Sequence, residues 1–324
     1  MAKRNLVLSI AVAMLLVLPH VSAAKTTIKA AAGQIGGGWY TIVSGLAEIV
    51  NSELKNQVQL VVVPGSGVSN IATCSLGQTP ITMSFPPFII AAKKGIDPYD
   101  TKYPKTKVIA SGFGTSAQHL VTTREDFHSY GDIVAKKLPI RIALNKPGAT
   151  DEFIWRKIME YYKFDYKDIS KWGGKVFFVG HGEAVQLIKD HHADTHFSYI
   201  SVPAASITEM AIARKLTFIN VPDDLLKYLE DEWALFQFTI PARTYQGQDK
   251  ELVSLGMSNT LMVNADISDD LVYAITKTIC ENYKDVRNIH KACENWKPEI
   301  APQGVESLLH PGALRYYKEM GYVK

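Results

Sequence analysis

Past its N-terminus this chain of 324 residues has no apolar run long enough to cross a bilayer, so the main body is not expected to be an integral membrane protein. It also lacks a strong charge of one sign. Lys and Arg number 35 against 32 Asp and Glu, a balance that argues against a nucleic-acid binder, which needs a basic face. Low-complexity tracts and internal repeats are absent, and a hydrophobic content of 47% is ample for packed cores. Cysteine is scarce. Cys74, within NIATCSL, reads as a small core residue, and Cys280 with Cys293 is the one pair close enough in sequence to bridge. On one straight helix, 13 residues at about 1.5 Å each would hold those two roughly 20 Å apart. A bridge therefore requires the helix from Leu271 to end near Asn288 and the chain to fold back; two buried free thiols are the alternative.

The first residues speak to compartment. Lys3 and Arg4 precede an apolar stretch from Leu6 to Pro19, and Val21-Ser22-Ala23 offers the small-residue pattern that a signal peptidase reads. Residues 1–23 are read as a cleaved secretory signal, with the mature chain starting at Ala24 and the product soluble and periplasmic. No cysteine stands at the junction, so a lipid anchor is not expected.

The remaining chain alternates. TTIKAAAG (26–33), VQLVVVPG (58–65) and ITMSF (81–85) read as strands, with helices at 42–54, 68–76 and 88–95, and a long extended run at 107–125 follows. A second series has strands at 140–145, 175–180 and 195–201, with helices at 151–162 and 183–192. Strands alternating with helices predict parallel sheets covered on both faces, and two such series predict two lobes.

Each strand runs into a turn former before its helix: Gly36-Gly37-Gly38, Pro64-Gly65-Ser66-Gly67, Ser84-Phe85-Pro86-Pro87 and Lys146-Pro147-Gly148-Ala149-Thr150. Ligands of open α/β sheets bind at these carboxyl ends. Helix N-termini there expose unpaired N–H groups with partial positive charge, suited to an anion. A dinucleotide site is excluded, since the glycine spacing is wrong and no carboxylate ends the second strand. A G-x-x-x-x-G-K-[ST] loop is also missing. No cofactor is expected.

GGGWYTIVSGLAEIVN, VVPGSGVSNIATCSLGQTPITMSFP, NTLMVNADISDDLVYAITKTICEN and LLHPGALRYYKEMG together resemble the TAXI family of solute receptors. These are the extracytoplasmic binding components of one class of TRAP transporters. The resemblance covers the mature chain and implies a two-lobed α/β fold of the periplasmic-binding-protein type II class with a cleft between lobes. It also implies a receptor that captures a small organic anion, a carboxylate or amino acid, by lobe closure and delivers it to the TRAP membrane subunit. On this basis lobe one takes 24–123 and 257–324, lobe two takes 124–256, and the hinge strands are His119–Arg124 and Ser258–Val263. A monomer is expected.

The resemblance also nominates cleft residues: Gly37, Gly38, Trp39, Tyr40, Ser66, Gly67, Val68, Asn70, Ser84 and Phe85 from lobe one. Lobe two offers Gly148, Ala149, Thr150, Tyr199 and Pro203. Asn70 is as well read as a turn or cap residue and Thr150 as an N-cap. Trp39 and Tyr40 are read as a water-excluding wall, with core packing as the alternative. His310 is expected to start a helix. Lys146, ahead of Arg124 and Arg141, is the candidate cation for a carboxylate. The chain departs from the family at Ala149, where a hydroxyl is common, and at Phe85-Pro86-Pro87, where an acid is common. An organic acid with an apolar part fits that wall.

Three other readings compete. His181, His191, His192 and His196 cluster in sequence, and His192 with His196 at i, i+4 could hold zinc on a helix. Ala193-Asp194 breaks that helix, so the geometry is expected to fail. Ser66 could be the nucleophile of a secreted serine hydrolase, although no histidine and acid are nominated beside it. The chain is therefore not expected to be an enzyme. A receptor serving a signalling partner is the last alternative.

Overall fold

A computed structural model describes residues 25–233 and 235–324; the expected signal segment at 1–23 lies outside them. The first stretch contains β1 (Thr26–Ala31), α1 (Gly38–Glu53), β2 (Val58–Val63), α2 (Gly67–Ser75), β3 (Ile81–Ser84), α3 (Pro86–Lys94) and β4 (Thr106–Ala110). The middle stretch begins with β5 (Thr115–Thr122), α4 (Tyr130–Ala135), β6 (Arg141–Leu144), α5 (Thr150–Tyr162), α6 (Tyr166–Lys171), β7 (Lys175–Phe178), α7 (His181–Lys189) and β8 (Thr195–Ser201). It continues with α8 (Ala205–Ala213), β9 (Thr217–Phe218), α9 (Asp223–Trp233), β10 (Phe236–Ile240) and β11 (Leu252–Ser258). The last stretch holds β12 (Thr260–Asn264), α10 (Asp269–Glu281), α11 (Tyr283–Ile289), three short 3-10 turns and α12 (Pro311–Glu319).

These elements build two sheets. The first has the order β2-β1-β3-β12-β4; the second has β10-β11-β5-β8-β6-β7, with β9 paired to β5. The expected α/β, two-sheet architecture is present, but the sheets are mixed rather than all parallel. β1 runs parallel to β2 and β3, and β6 parallel to β7 and β8, while β12 is antiparallel to β3 and β4 and β5 antiparallel to β8 and β11. The antiparallel members are the strands beside the crossings between sheets. A strand that begins where the chain enters from the other sheet runs against strands whose carboxyl ends face that same gap.

The outgoing crossing falls earlier than the expected hinge strand at 119–124, while the return crossing lies within the expected Ser258–Val263. β5 lies wholly in the second sheet, and the expected single run at 107–125 is split at 111–114. Gly112 and Gly114 there have φ of +82° and +81°, a left-handed backbone that glycine adopts without a Cβ penalty. The return crossing is Asn259. Its N–H donates to the Gly114 carbonyl at 3.0 Å, its carbonyl accepts from Phe113 N–H at 3.2 Å, and its Nδ2 donates to the Phe113 carbonyl at 3.0 Å. Both passages are thus tied together through one residue.

Packing follows the apolar periodicity. α1 buries Ile42, Val43, Leu46, Ala47 and Val50, one face of a 3.6-residue repeat. His310 caps α12 by accepting from Gly312 N–H at 3.2 Å, the helix-start role expected of it. Cys280 and Cys293 are buried and unbridged, as is Cys74, and burial pushes each thiol up to about 12. His192 lies in the turn after α7 and His196 inside β8, so the two share no helix face. Among the described residues no group of three or more His, Cys, Asp and Glu side chains is placed to hold a metal ion.

Candidate functional site

The carboxyl ends of both sheets meet at one cavity of about 50 Å³. Gly33 and Gln34 reach it from the end of β1, and Gly65 and Ser66 from the end of β2. From the second sheet come Asn145 after β6, Tyr199, Ile200 and Ser201 at the end of β8, and Ser116 on β5. The strand orders 2-1-3 and 7-6-8 both reverse here, the position where open α/β sheets leave a crevice.

Four helices begin at this cavity: α1 behind Gly37, α2 behind Ser66, α5 behind Ala149 and α7 behind Gly180. None of the four has a side chain capping its first N–H groups. Of the helices that begin elsewhere, α4, α6, α10 and α12 are capped by the side chains of Ser129, Asp165, Ser268 and His310, while α3, α8 and α11 have no side-chain cap. A helix leaves its first N–H groups without intrahelical partners. Four uncapped starts therefore direct donor groups and partial positive charge at one small space.

The two halves touch around it. Gln34 Nε2 donates to Asn145 Oδ1 at 2.7 Å, and Ser69 N–H donates to the Gly148 carbonyl at 3.2 Å. Gly67 packs so closely on Thr150 that a Cβ would overlap its hydroxyl, and a Cβ on Gly38 would stand 2.8 Å from that of Ser201. Trp39 Nε1 donates to Asn259 Oδ1 at 2.7 Å, which also accepts from Ser116 Oγ at 2.7 Å. The glycines at these turns are needed for close approach between lobes as much as for any ligand.

Of the residues nominated from sequence, Gly37, Gly38, Trp39, Ser66, Gly67, Ala149, Thr150 and Tyr199 line the cavity. Phe85 is fully buried behind it, with ring centroids 4.7 Å from Trp39 and 5.6 Å from Tyr199, and so backs the aromatic wall. Ser84 Oγ donates to the Gly67 carbonyl at 2.6 Å and positions the α2 turn. Asn70 also acts from behind. Its Oδ1 accepts from Ser66 N–H at 2.9 Å, while Nδ2 donates to the Ala32 and Met83 carbonyls at 2.9 and 2.8 Å.

The other nominations are placed elsewhere. Val68 is a core residue, and Gly148 only supplies its carbonyl to Ser69. Tyr40 lines a surface groove between α1 and α11, because the next helical position turns it about 100° from Trp39. Pro203 lines a separate hollow beside Gly114 and Thr115. Lys146 is exposed and does not line the cavity. Thr150 is not the N-cap of α5; Ala149 is, and the Thr150 hydroxyl is buried without a partner.

Six polar cavity residues were not nominated as cleft contacts: Gln34, Ser116, Asn145, Asp151, His181 and Ser201. Asp151 Oδ1 accepts from Tyr199 N–H at 3.0 Å, and its Oδ2 accepts from Asn145 Nδ2. Burial raises the Asp151 carboxyl to about 7 and lowers His181 to about 4. Gln34, Asn145, Asp151, His181 and Ser201 lie in or beside turns that follow strands, which was the available signal, whereas Ser116 sits within β5. Ser66, His181 and Asp151 share the cavity, yet they form no catalytic relay. His181 Nε2 faces Asn145 at 3.4 Å and Nδ1 has no partner, so neither ring nitrogen engages Ser66.

A family model described as the NMT1-like family matches residues 30–321. The chain belongs to the NMT1-like family. In fold this NMT1-like protein is similar to PhnD1 from Prochlorococcus marinus in complex with methylphosphonate. The TM-score is 0.56 at 9% identity, over 92% of this chain and 99% of that one. It is likewise similar to the periplasmic binding protein BugD, with a TM-score of 0.54 at 13% identity over 92% and 98% of the two chains. MatC from Rhodopseudomonas palustris with bound malate gives a TM-score of 0.54 at 12% identity over 91% and 98%. The NMT1-like chain thus has the two-sheet α/β fold of periplasmic binding proteins.

Proposed function

We propose that this protein is an extracytoplasmic solute receptor that captures a small organic anion between its two lobes. The observation that carries the proposal is the convergence of four uncapped helix starts, two from each sheet, on one cavity. Donor groups gathered from both halves bind an acceptor-rich solute best when the halves are together, so the solute favours closure. The lobes divide at the crossings, 111–114 and Asn259, and hinge there.

The finer reading follows the TAXI resemblance: a periplasmic protein, exported by its N-terminal signal, that hands its solute to a TRAP-type membrane subunit. Among the described residues no helix is long and apolar enough to cross a membrane, which is compatible with that placement. Native mass spectrometry of the purified mature chain tests the proposal. A copurifying small organic acid is expected, together with a raised melting temperature when that acid is restored after stripping. No acid recovered, no organic acid shifting the melting temperature, and a strong response to metal ions would contradict it.

A further inference from the structure

The chain returns from the second sheet to the first through a single residue. β11 ends at Ser258 and β12 begins at Thr260, so Asn259 alone makes the crossing, and it is fully buried. No loop is present there to absorb a rotation between the lobes. The Asn259 backbone is tied to the outgoing crossing in both directions, to the Gly114 carbonyl and from the Phe113 N–H. Small hydroxyls close the rest of the joint. Ser111 Oγ lies 3.1 Å from Ser258 Oγ and 2.7 Å from Thr260 Oγ1, and Ser258 Oγ accepts from Gly112 N–H at 3.2 Å.

The Asn259 side chain can be placed only one way round. The Trp39 indole N–H is solely a donor and the Phe113 carbonyl solely an acceptor, so the amide oxygen meets the indole and the amide nitrogen meets Phe113. Oδ1 accepts from Trp39 Nε1 and from Ser116 Oγ, each at 2.7 Å, while Nδ2 donates to the Phe113 carbonyl at 3.0 Å and to Ser201 Oγ at 3.2 Å. Both oxygen lone pairs and both amide hydrogens are used. Three of these four partners line the cavity: Trp39 from α1 in the first lobe, Ser116 from β5 and Ser201 from β8 in the second. Asn259 itself does not line it.

From this arrangement we propose that Asn259 is a positioning residue that couples the cavity wall to the hinge. It holds the Trp39 indole in the wall while the two crossings keep their present arrangement. A solute packed against Trp39 stabilises that arrangement, and a rotation at the crossings withdraws the wall. Close packing leaves little slack in the linkage. A Cβ on Gly38, beside Trp39, would stand 2.8 Å from Ser201 Cβ, and one on Gly114 would stand 2.5 Å from the Ala292 carbonyl oxygen. Movement at the crossings is therefore passed to the start of α1 rather than absorbed. The competing account is a static polar core, in which Asn259 holds the crossings together and Trp39 is only one more partner.

This inference rests on the receptor reading, and a double-mutant cycle in solute affinity of the full mature chain separates the two. The probe is the organic acid recovered from the protein or, where none is recovered, whichever of malate, acetate and methylphosphonate most raises its melting temperature. Trp39→Phe keeps an aromatic ring in the wall and removes the indole N–H; Asn259→Ala removes the amide that receives it. Each should weaken the probe at least about tenfold by calorimetry, and the two together no more than about threefold beyond the worse single variant. Losses that simply multiply, or wild-type affinity in either folded variant, overturn the inference and leave the receptor reading standing. Should Asn259→Ala not fold, hydrogen exchange in the unaltered protein decides. Saturation with the probe should slow exchange of the Trp39 indole N–H and of the Asn259 and Phe113 backbone amides together. Protection of the indole without those two amides overturns the coupling. No acid recovered, and no response to any of the three acids, sinks both readings.

Discussion

Gly67 on α2 lies directly against the Thr150 hydroxyl on α5, with no room between them for even one methyl group. The contact joins the first turn of a helix in one lobe to the first turn of a helix in the other, at the edge of the cavity. Gly67→Ala therefore obstructs closure without disturbing either core. Solute affinity measured by calorimetry should fall at least tenfold, while the melting temperature of the solute-free chain stays within a few degrees of wild type. Unchanged affinity would show that the lobes need not meet here.

A second contact bridges the lobes outside the cavity. Asp97, between α3 and β4, pairs with Lys157 on α5 and stands 3.7 Å from Arg156 Nη2. Asp97 is half exposed, and the buried Lys157 keeps Glu160 as a second partner at 2.9 Å. A contribution of about 0–1 kcal/mol is therefore expected, and Asp97→Asn should weaken solute binding only about two- to fivefold. Affinity of the wild type should fall between 50 and 500 mM salt more steeply than that of the variant. Equal salt dependence would remove the ion pair from the closing equilibrium.

Asn70 offers a test of structure rather than binding. It is 2% exposed and satisfies three backbone groups, on the β1 and β3 ends and at the α2 start. Unpaired buried backbone groups cost about 1–3 kcal/mol each, so Asn70→Ala should destabilise the fold by roughly 3–5 kcal/mol in urea unfolding. A loss below about 1 kcal/mol would show that water or neighbouring groups replace it.

Acid stability follows from the buried histidines. Burial lowers His119 and His196 to about 3 and His181 to about 4, well below the ordinary value of 6.5. Between about pH 6.5 and 4 the unfolded chain binds protons on these rings that the folded chain does not, so folding weakens as pH falls. Asp151, raised to about 7, has the opposite sign: its folded form holds a proton from about pH 4 to 7 that the unfolded form has lost. Three protons against one leave a net slope near two protons, about 2.7 kcal/mol per pH unit at its steepest. Denaturant melts at pH 6.5, 5.5 and 4.5 should show stability dropping steadily. A flat or rising profile would mean these rings charge in place.

The legible parts of the fold were those written locally. β8 at 195–201 and the α5 and α1 faces follow directly from β-branched alternation and helical spacing, and each βα turn carries its glycine or proline. The split at 111–114 was signalled by SGFG, but apolar residues on both sides masked it as one strand. The crossing to a second sheet is a tertiary event that no local pattern encodes. The same limit explains the site. The turn glycines were recognisable as strand–helix turns, whereas Gln34 meets Asn145 across 111 residues of chain, and His181 joins them only when three strands align. Lys146 was favoured for its place beside the Gly148 turn, yet it is exposed and does not line the cavity.

Small-angle X-ray scattering of the mature chain tests capture by closure most directly. The copurified acid is stripped and then restored to saturation, and the radius of gyration is measured in both states. The solute-free chain should be the more extended, contracting on restoration toward the closed arrangement in which Gln34 reaches Asn145, while Gly67→Ala stays extended. Identical scattering curves for the stripped and saturated wild type, with binding verified in the same samples, would contradict the account.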